Sequence, residues 1–243
     1  GVFGNLVDFT GSTKGMGEEI QINKYTMGVQ WKPDVGMDAT GKYVVVWESE
    51  NQDGSGYGVY SQRYDKNGDK MGSEFLVNTH TMNNQDNAAI AMNQTGDYVI
   101  VWSSGLQDGS GGGIYGKCFA NNDFKISNEF QVNTYTASIQ TLPSVAIDSI
   151  GNFVVVWQSL GQDGDNYGIY GQRFNAIGTP IGSEFQINTY TSSFQIAAQV
   201  AMNSDGAFVV VWHSFNQDGD NYGIYGQRYD SNGNPQGGEF QVN

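Results

Sequence analysis

Only one cysteine, Cys118, occurs among the 243 residues, so no disulfide can form within the chain. A single thiol also excludes a cysteine-rich metal site. The two histidines, His80 and His213, lie 133 positions apart with no evident partners, which argues against zinc chemistry. Proline is scarce at 4 residues against 34 glycines, a balance that suits many tight turns rather than a stiff linker. Basic residues are few: 11 Lys and Arg face 25 Asp and Glu, a net charge of −14. Such a surface repels phosphate backbones and anionic lipid, so nucleic acid is not an expected partner. No run of 18 apolar residues occurs, so no membrane-spanning helix and no membrane insertion are expected.

What the chain does have is a period. Trp47, Trp102, Trp157 and Trp212 are spaced by 55. The same interval separates Asn23, Asn78, Asn133, Asn188 and Asn243, and also Glu19, Glu74, Glu129, Glu184 and Glu239. A fixed period of this length marks a repeat architecture. Within repeat three, "PSVAIDS", "GNFVVVWQS", "GIYGQRFN" and "SEFQIN" are rich in β-branched and aromatic residues and are separated by Gly, Asn and Asp. They predict four strands, A to D.

Turns of the form Asp/Asn-x-x-Gly recur between A and B (Asp38–Gly41, Asn93–Gly96, Asp148–Gly151, Asn203–Gly206) and between C and D (Asp65–Gly68, Asn175–Gly178, Asp230–Gly233). Both mark antiparallel hairpins. Repeat two breaks the second turn with Ala120 and Asp123. It also carries Lys117-Cys118 where the other repeats have Gln-Arg, so it reads as degenerate.

The domain map is therefore a C–D half repeat (1–23, with Asp8–Gly11 as its turn) and four full repeats: 24–78, 79–133, 134–188 and 189–243. Together they make one domain of four and a half repeats. Strand B is apolar on both faces, with Phe153, Val155 and Trp157 on one and Val154 and Val156 on the other. Strand D alternates and has one wet face. This predicts an all-β, β-propeller-like toroid of four-stranded antiparallel blades. A β-solenoid is the alternative, because hairpin signals also recur 27 residues apart.

The quoted pattern, FVVVWxSxxQDGxxxGIYGQRF followed by GxEFQVNT, resembles the Trp-containing repeats of very large secreted bacterial surface proteins. Many of those also carry cadherin-like, dockerin or calcium-binding modules. The resemblance spans about residues 18 to 243. It implies a secreted or cell-surface location and a non-enzymatic, adhesive or structural role. The blade pattern is also loosely similar to that of propeller lectins, which take sugars between blades.

Several residues are candidates for a site. Gln-Asp-Gly loops at Asp53, Asp108, Asp163 and Asp218, reinforced by Asp165 and Asp220, suit a hard cation such as Ca2+. Simple closure of a long turn is the reading they suit better. Tyr57, Tyr167 and Tyr222 place an amphipathic ring on a glycine-rich B–C loop, which suits polyol recognition. Trp31 lies off the 55-residue ruler and is the better exposed aromatic, whereas the four periodic tryptophans suit core packing. Arg63, Arg173 and Arg228 suggest cross-strand ion pairs with Glu74, Glu184 and Glu239.

Nothing resembles a Ser/His/Asp constellation, a phosphate-binding loop or HExxH, and no pair of carboxylates stands apart from the repeat. The expectation is a non-enzymatic extracellular binding or adhesion module. It would contact a glycan or cell-surface polymer through the B–C loops. The alternative is a structural subunit that self-associates head to tail through its half repeat.

Overall fold

The computed structural model describes residues 1–4, 19–121 and 125–243. The expected Asp8–Gly11 turn and Asp123 of repeat two lie outside the described residues. A two-stranded unit, β1 (Phe3–Gly4) and β2 (Ile20–Gln21), precedes four four-stranded sheets. Sheet one holds β3 (Gln30–Met37), β4 (Tyr43–Glu50), β5 (Tyr57–Tyr64) and β6 (Lys70–Leu76). Sheet two holds β7 (Gln85–Met92), β8 (Tyr98–Gly105), β9 (Gly112–Phe119) and β10 (Phe130–Gln131). Sheet three holds β11 (Gln140–Ile147), β12 (Phe153–Leu160), β13 (Tyr167–Phe174) and β14 (Pro180–Gln186). Sheet four holds β15 (Gln195–Met202), β16 (Phe208–Phe215), β17 (Tyr222–Tyr229) and β18 (Phe240–Gln241).

Every ladder between named strands is antiparallel and lies within one repeat, while an isolated parallel bridge links Gly112 of β9 to Ile139 of the next repeat. A solenoid, in which strands of successive repeats share sheets, is thereby corrected. The turns work as their residues dictate. Asp148 Oδ1 accepts the N–H groups of Ile150 and Asn152 at 3.0 and 2.8 Å. Gly151 then takes φ +91°, which a side chain would resist.

Sheets stack face to face. Val44 and Val46 of β4 pack on Ile100 and Trp102 of β8. Val99 and Val101 pack on Phe153, Val155 and Trp157, and Val154 and Val156 pack on Phe208, Val210 and Trp212. One face of each second strand therefore looks back to the preceding sheet and the other looks forward. That is why these strands are continuous apolar runs. Trp47, Trp102 and Trp157 are 0% exposed and Trp212 is 1% exposed. Cys118, at the position of Arg in the other repeats, is buried among Val99, Val132 and Phe174, and burial pushes its thiol up to about 11.

The innermost strands β3, β7, β11 and β15 pack side by side. Each carries a bulge at which the register to its neighbour shifts. The bulge residues Lys32, Asn87, Leu142 and Ala197 have φ of 45°, 53°, 53° and 55°. Left-handed backbone at non-glycine residues is uncommon and tends to cluster at functional sites. The described residues do not close a ring.

Candidate functional site

A bulge leaves a backbone N–H without a ladder partner, and a side chain from the preceding sheet accepts it. In sheet three Gln158 Oε1 accepts Ala197 N–H at 3.1 Å. At the equivalent place in sheet one, Glu48 Oε1 accepts Asn87 N–H at 2.5 Å. The scaffold needs only an acceptor here, so a carboxylate is more than the fold requires.

Glu48 is 0% exposed, and its Oε2 has no hydrogen-bond partner. Lys32 Nζ stands 3.5 Å from Oε1, an ion pair. Lys32 Nζ also donates to Asn87 Oδ1 at 2.9 Å, and Asn87 Nδ2 donates to Asp86 Oδ1 at 2.8 Å and to Thr141 Oγ1 at 3.4 Å. Glu48, Lys32, Asn87 and Asp86 thus form one polar network across sheets one and two.

Burial pushes the Glu48 carboxyl above the usual carboxylate range. The Asn87 N–H, Lys32 and Trp31 oppose that rise, and the charge of Asp86 adds to it. Burial likewise raises Asp86, against the pull of Lys32 and the Asn87 side chain. Beside this network Trp31, 44% exposed, stacks on Tyr57 with ring centroids 5.5 Å apart and planes at 22°. The Tyr57 hydroxyl is raised by burial and then by the charges of Glu50, Glu48 and Asp86. Glu50 stands opposite Tyr57 across β4 and β5, and Glu48 opposite Trp31 across β3 and β4. Glu50 Oε2 accepts Val29 N–H at 3.0 Å. Asn87 joins the network to a cavity of about 400 Å³ between the inner strands, lined also by Asp34, Leu142, Ser144, Ala197 and Gln199.

Glu48, Glu50 and Asp86 do not recur. Their columns hold Ser103, Gln158 and His213; Gly105, Leu160 and Phe215; and Trp31, Thr141 and Ile196. Sequence reading sought function in what repeats and passed over them; the signal was departure from the period.

Of the residues expected to form a site, Trp31 and Tyr57 come together here. Tyr167 and Tyr222 open strands in other sheets, where Tyr222 meets Phe215 edge-on at 5.0 Å. The loop aspartates hold their own turns: the Oδ1 atoms of Asp53, Asp108, Asp163 and Asp218 each accept an N–H two residues on, at 3.1 to 3.3 Å. Asp165 Oδ2 accepts Ser193 N–H at 2.7 Å, and Asp220 Oδ1 accepts Asn221 Nδ2 at 2.8 Å. No group of three or more His, Cys, Asp or Glu is placed to hold a metal ion among the described residues.

The expected Arg–Glu pairs are corrected. Glu184 Oε2 accepts Thr134 N–H at 2.6 Å, and its Oε1 accepts Gln162 Nε2 at 2.6 Å. Glu74, Glu129 and Glu239 make the same two bonds. Arg173 instead donates to the Ser231 carbonyl at 2.8 Å and to that of Asn232.

No known family's sequence profile matches the chain, and no curated protein matches it. Solved structures do share its fold. A thermostable family-43 glycoside hydrolase aligns over 85% of this chain and 74% of its own, with 14% identity and a TM-score of 0.51. An α-L-arabinofuranosidase from Lactobacillus brevis aligns over 86% and 75%, with 14% identity and a TM-score of 0.50. An exo-1,5-α-L-arabinanase from a bovine ruminal metagenomic library aligns over 85% and 76%, with 12% identity and a TM-score of 0.50.

These are five-bladed β-propellers, and the class of fold is thereby set: repeated four-stranded antiparallel sheets of propeller type. The neighbours also overturn two expectations. A non-enzymatic adhesion module, or a self-assembling structural subunit in its place, was expected, and an enzyme was excluded. The structures that share the fold are glycoside hydrolases. The exclusion rested on finding no carboxylates apart from the repeat, and Glu48, Glu50 and Asp86 supply them.

Proposed function

We propose that this chain processes carbohydrate as a glycosidase, with its site at the bulges of sheets one and two. The observation that carries the reading is the set of non-recurring carboxylates beside the exposed Trp31–Tyr57 stack: Glu50 opposite Tyr57, Glu48 opposite Trp31, and Asp86 joined to Glu48 through Asn87. Glycoside cleavage needs one carboxyl that keeps its proton near neutrality and a second that attacks the sugar or activates water. Asp86, half-buried and raised, is the proton donor. Glu50, beside the aromatic pair, is the second carboxylate. Glu48 is a positioning residue: buried below Lys32 and Asn87, it holds both in place and raises the cost of a second negative charge. Trp31 and Tyr57 offer a flat apolar face on which a sugar ring can stack. The fold shared with an arabinofuranosidase and an arabinanase supports a furanose polymer as the first substrate to try.

The test is release of reducing sugar from arabinan and of aryl alcohol from aryl α-L-arabinofuranosides, alongside a panel of aryl pyranosides. Activity abolished by Asp86→Asn and by Glu50→Gln, with the fold intact, is the expected result. Absence of turnover and of sugar binding across the panel sinks the proposal.

A further inference from the structure

Lys32 and Asn87 occupy the same column of the repeat, 55 positions apart, and each is the left-handed residue of its bulge. In the later repeats that column holds Leu142 and Ala197. Only between sheets one and two, therefore, do a primary amine and a side-chain amide meet at this place. Lys32 Nζ lies 2.9 Å from Asn87 Oδ1, the oxygen bonded to the amide carbon. Glu48 Oε1 is 3.5 Å from the same Nζ and 2.5 Å from the Asn87 backbone nitrogen. An amine, an amide and a carboxyl are thus held at one point.

The partners of these groups fix how they are turned. Asn87 Nδ2 donates to Asp86 Oδ1 at 2.8 Å and to Thr141 Oγ1 at 3.4 Å, so the amide turns its oxygen, not its nitrogen, to the amine. The Trp31 ring lies over the amine, with Nζ 5.0 Å from the ring centroid. Glu48 is wholly buried; Oε1 is held by the Asn87 N–H, and Oε2 has no partner. That second oxygen can take a proton, and burial favours the protonated carboxyl. A salt bridge alone would need neither the amide nor the empty oxygen.

We infer that Lys32 and Asn87 join in an isopeptide bond, formed by the folded chain itself with Glu48 as proton carrier. An amide resists amines in water, but fixed proximity and a positioned acid–base group remove that resistance. The Glu48 carboxylate takes one proton from the Lys32 ammonium. The freed amine adds to Asn87 Cγ, making the Nζ–Cγ bond. Glu48 passes its proton to Nδ2 and takes the second proton from Nζ. The Cγ–Nδ2 bond then breaks and ammonia leaves. Nζ keeps one hydrogen as the new amide N–H, and Glu48 ends protonated and neutral. The product ties β3 to β7, and so sheet one to sheet two. The bond goes beyond the glycosidase reading and stands or falls without it, since no sugar enters any step.

The intact mass of the purified, folded chain is the test. Expected is a mass below that of the sequence by one ammonia, and a digest in which the peptide of Lys32 is joined to that of Asn87. Lys32→Arg keeps the charge but holds its protons. Glu48→Gln keeps an acceptor for the bulge N–H, as Gln158 does, but carries no proton. Each should show the full mass of its own sequence, with circular dichroism confirming the fold. Because the bond closes a long loop, the parent should melt roughly 5–15 °C above Lys32→Arg. A parent at its full sequence mass overturns the inference. So does an ammonia loss that persists in either variant; in Lys32→Arg it would mark a succinimide at an Asn-Gly step such as Asn67-Gly68.

Discussion

The interface between sheets one and two and the interface between sheets three and four are built alike and end differently. In each, two forward valines pack on a tryptophan and an aromatic, and a side chain from the earlier sheet accepts the bulge N–H of the later one. In the second interface that acceptor is the amide of Gln158, facing Ala197. In the first it is Glu48, facing Asn87, with Lys32, Asp86, Glu50 and a Trp–Tyr stack gathered around it. The scaffold is therefore satisfied by an uncharged acceptor. The charges are additions that the fold tolerates at some cost, since buried carboxylates lose hydration. The repeat builds the frame, and one interface departs from it to make a site.

The shared frame gives the largest expected effect. Trp102→Ala and Trp212→Ala should each cost about 3–5 kcal/mol, as truncations of large buried side chains do. Urea unfolding reads both, and clearly unequal losses would break the equivalence of the two interfaces.

The sites should separate next. Asp86→Asn should lower glycoside cleavage by roughly 10²–10⁴-fold, the usual contribution of a positioned proton donor. Gln158→Glu, which writes the carboxylate of sheet one into sheet three, should leave turnover where it was. Equal losses from both would mean that activity reports the frame rather than the site.

Packing gives a smaller contrast. Val46→Ala and Val156→Ala, both at 0% exposure, should each cost about 1.5–2 kcal/mol for two methylene equivalents. Val211→Ala, on the outer face of sheet four, should cost less than about 0.5 kcal/mol. Thermal melts of the three variants rank them.

The finest test is pH. Glu48 and Asp86 both have raised carboxyls, so the folded chain holds protons that the unfolded chain releases. Stability contributed by these groups is present below the usual carboxylate range, about pH 4, and is lost as pH rises through the folded values. In chains that also carry Asn87→Ala, and so cannot form the Lys32–Asn87 bond, Glu48→Gln should raise Tm at neutral pH and flatten its slope above about pH 4, because Gln158 demonstrates that an amide can accept the bulge N–H. A variant that melts lower than the parent at neutral pH would mean that the Lys32–Glu48 pair outweighs the burial of its carboxylate.

Much of the frame could be read from the sequence. Strand B announces its double burial through Phe153, Val154, Val155, Val156 and Trp157, and the Asp148–Gly151 turn carries its own caps. The bulges could not be read. Their left-handed residues are Lys32, Asn87, Leu142 and Ala197, four side chains with no common preference for positive φ, so only tertiary packing selects the conformation. The site was hidden for a related reason. Periodicity directs attention to what recurs, and Glu48, Glu50 and Asp86 matter because they do not. Trp31 was visible as an exposed aromatic, but its partnership with Tyr57 depends on a bulge that no residue advertises. The Arg–Glu pairing was legible and wrong, because adjacency on strands C and D says nothing of the loop N–H groups that reach the same carboxylates first.

The third strands of sheets three and four read YGIYGQRF and YGIYGQRY, and their second strands both begin FVVVW. Two parts so alike have interchangeable docking slots. A chain refolding from denaturant can seat sheet four where sheet three belongs, one period out of phase. The result is strand-rich and compact, yet one unit is left over. Such an error is internal to the molecule, so dilution does not cure it, and refolding should show a slow phase set by undocking. Synthesis on the ribosome avoids the choice, because sheet three emerges and finds sheet two before sheet four exists to compete.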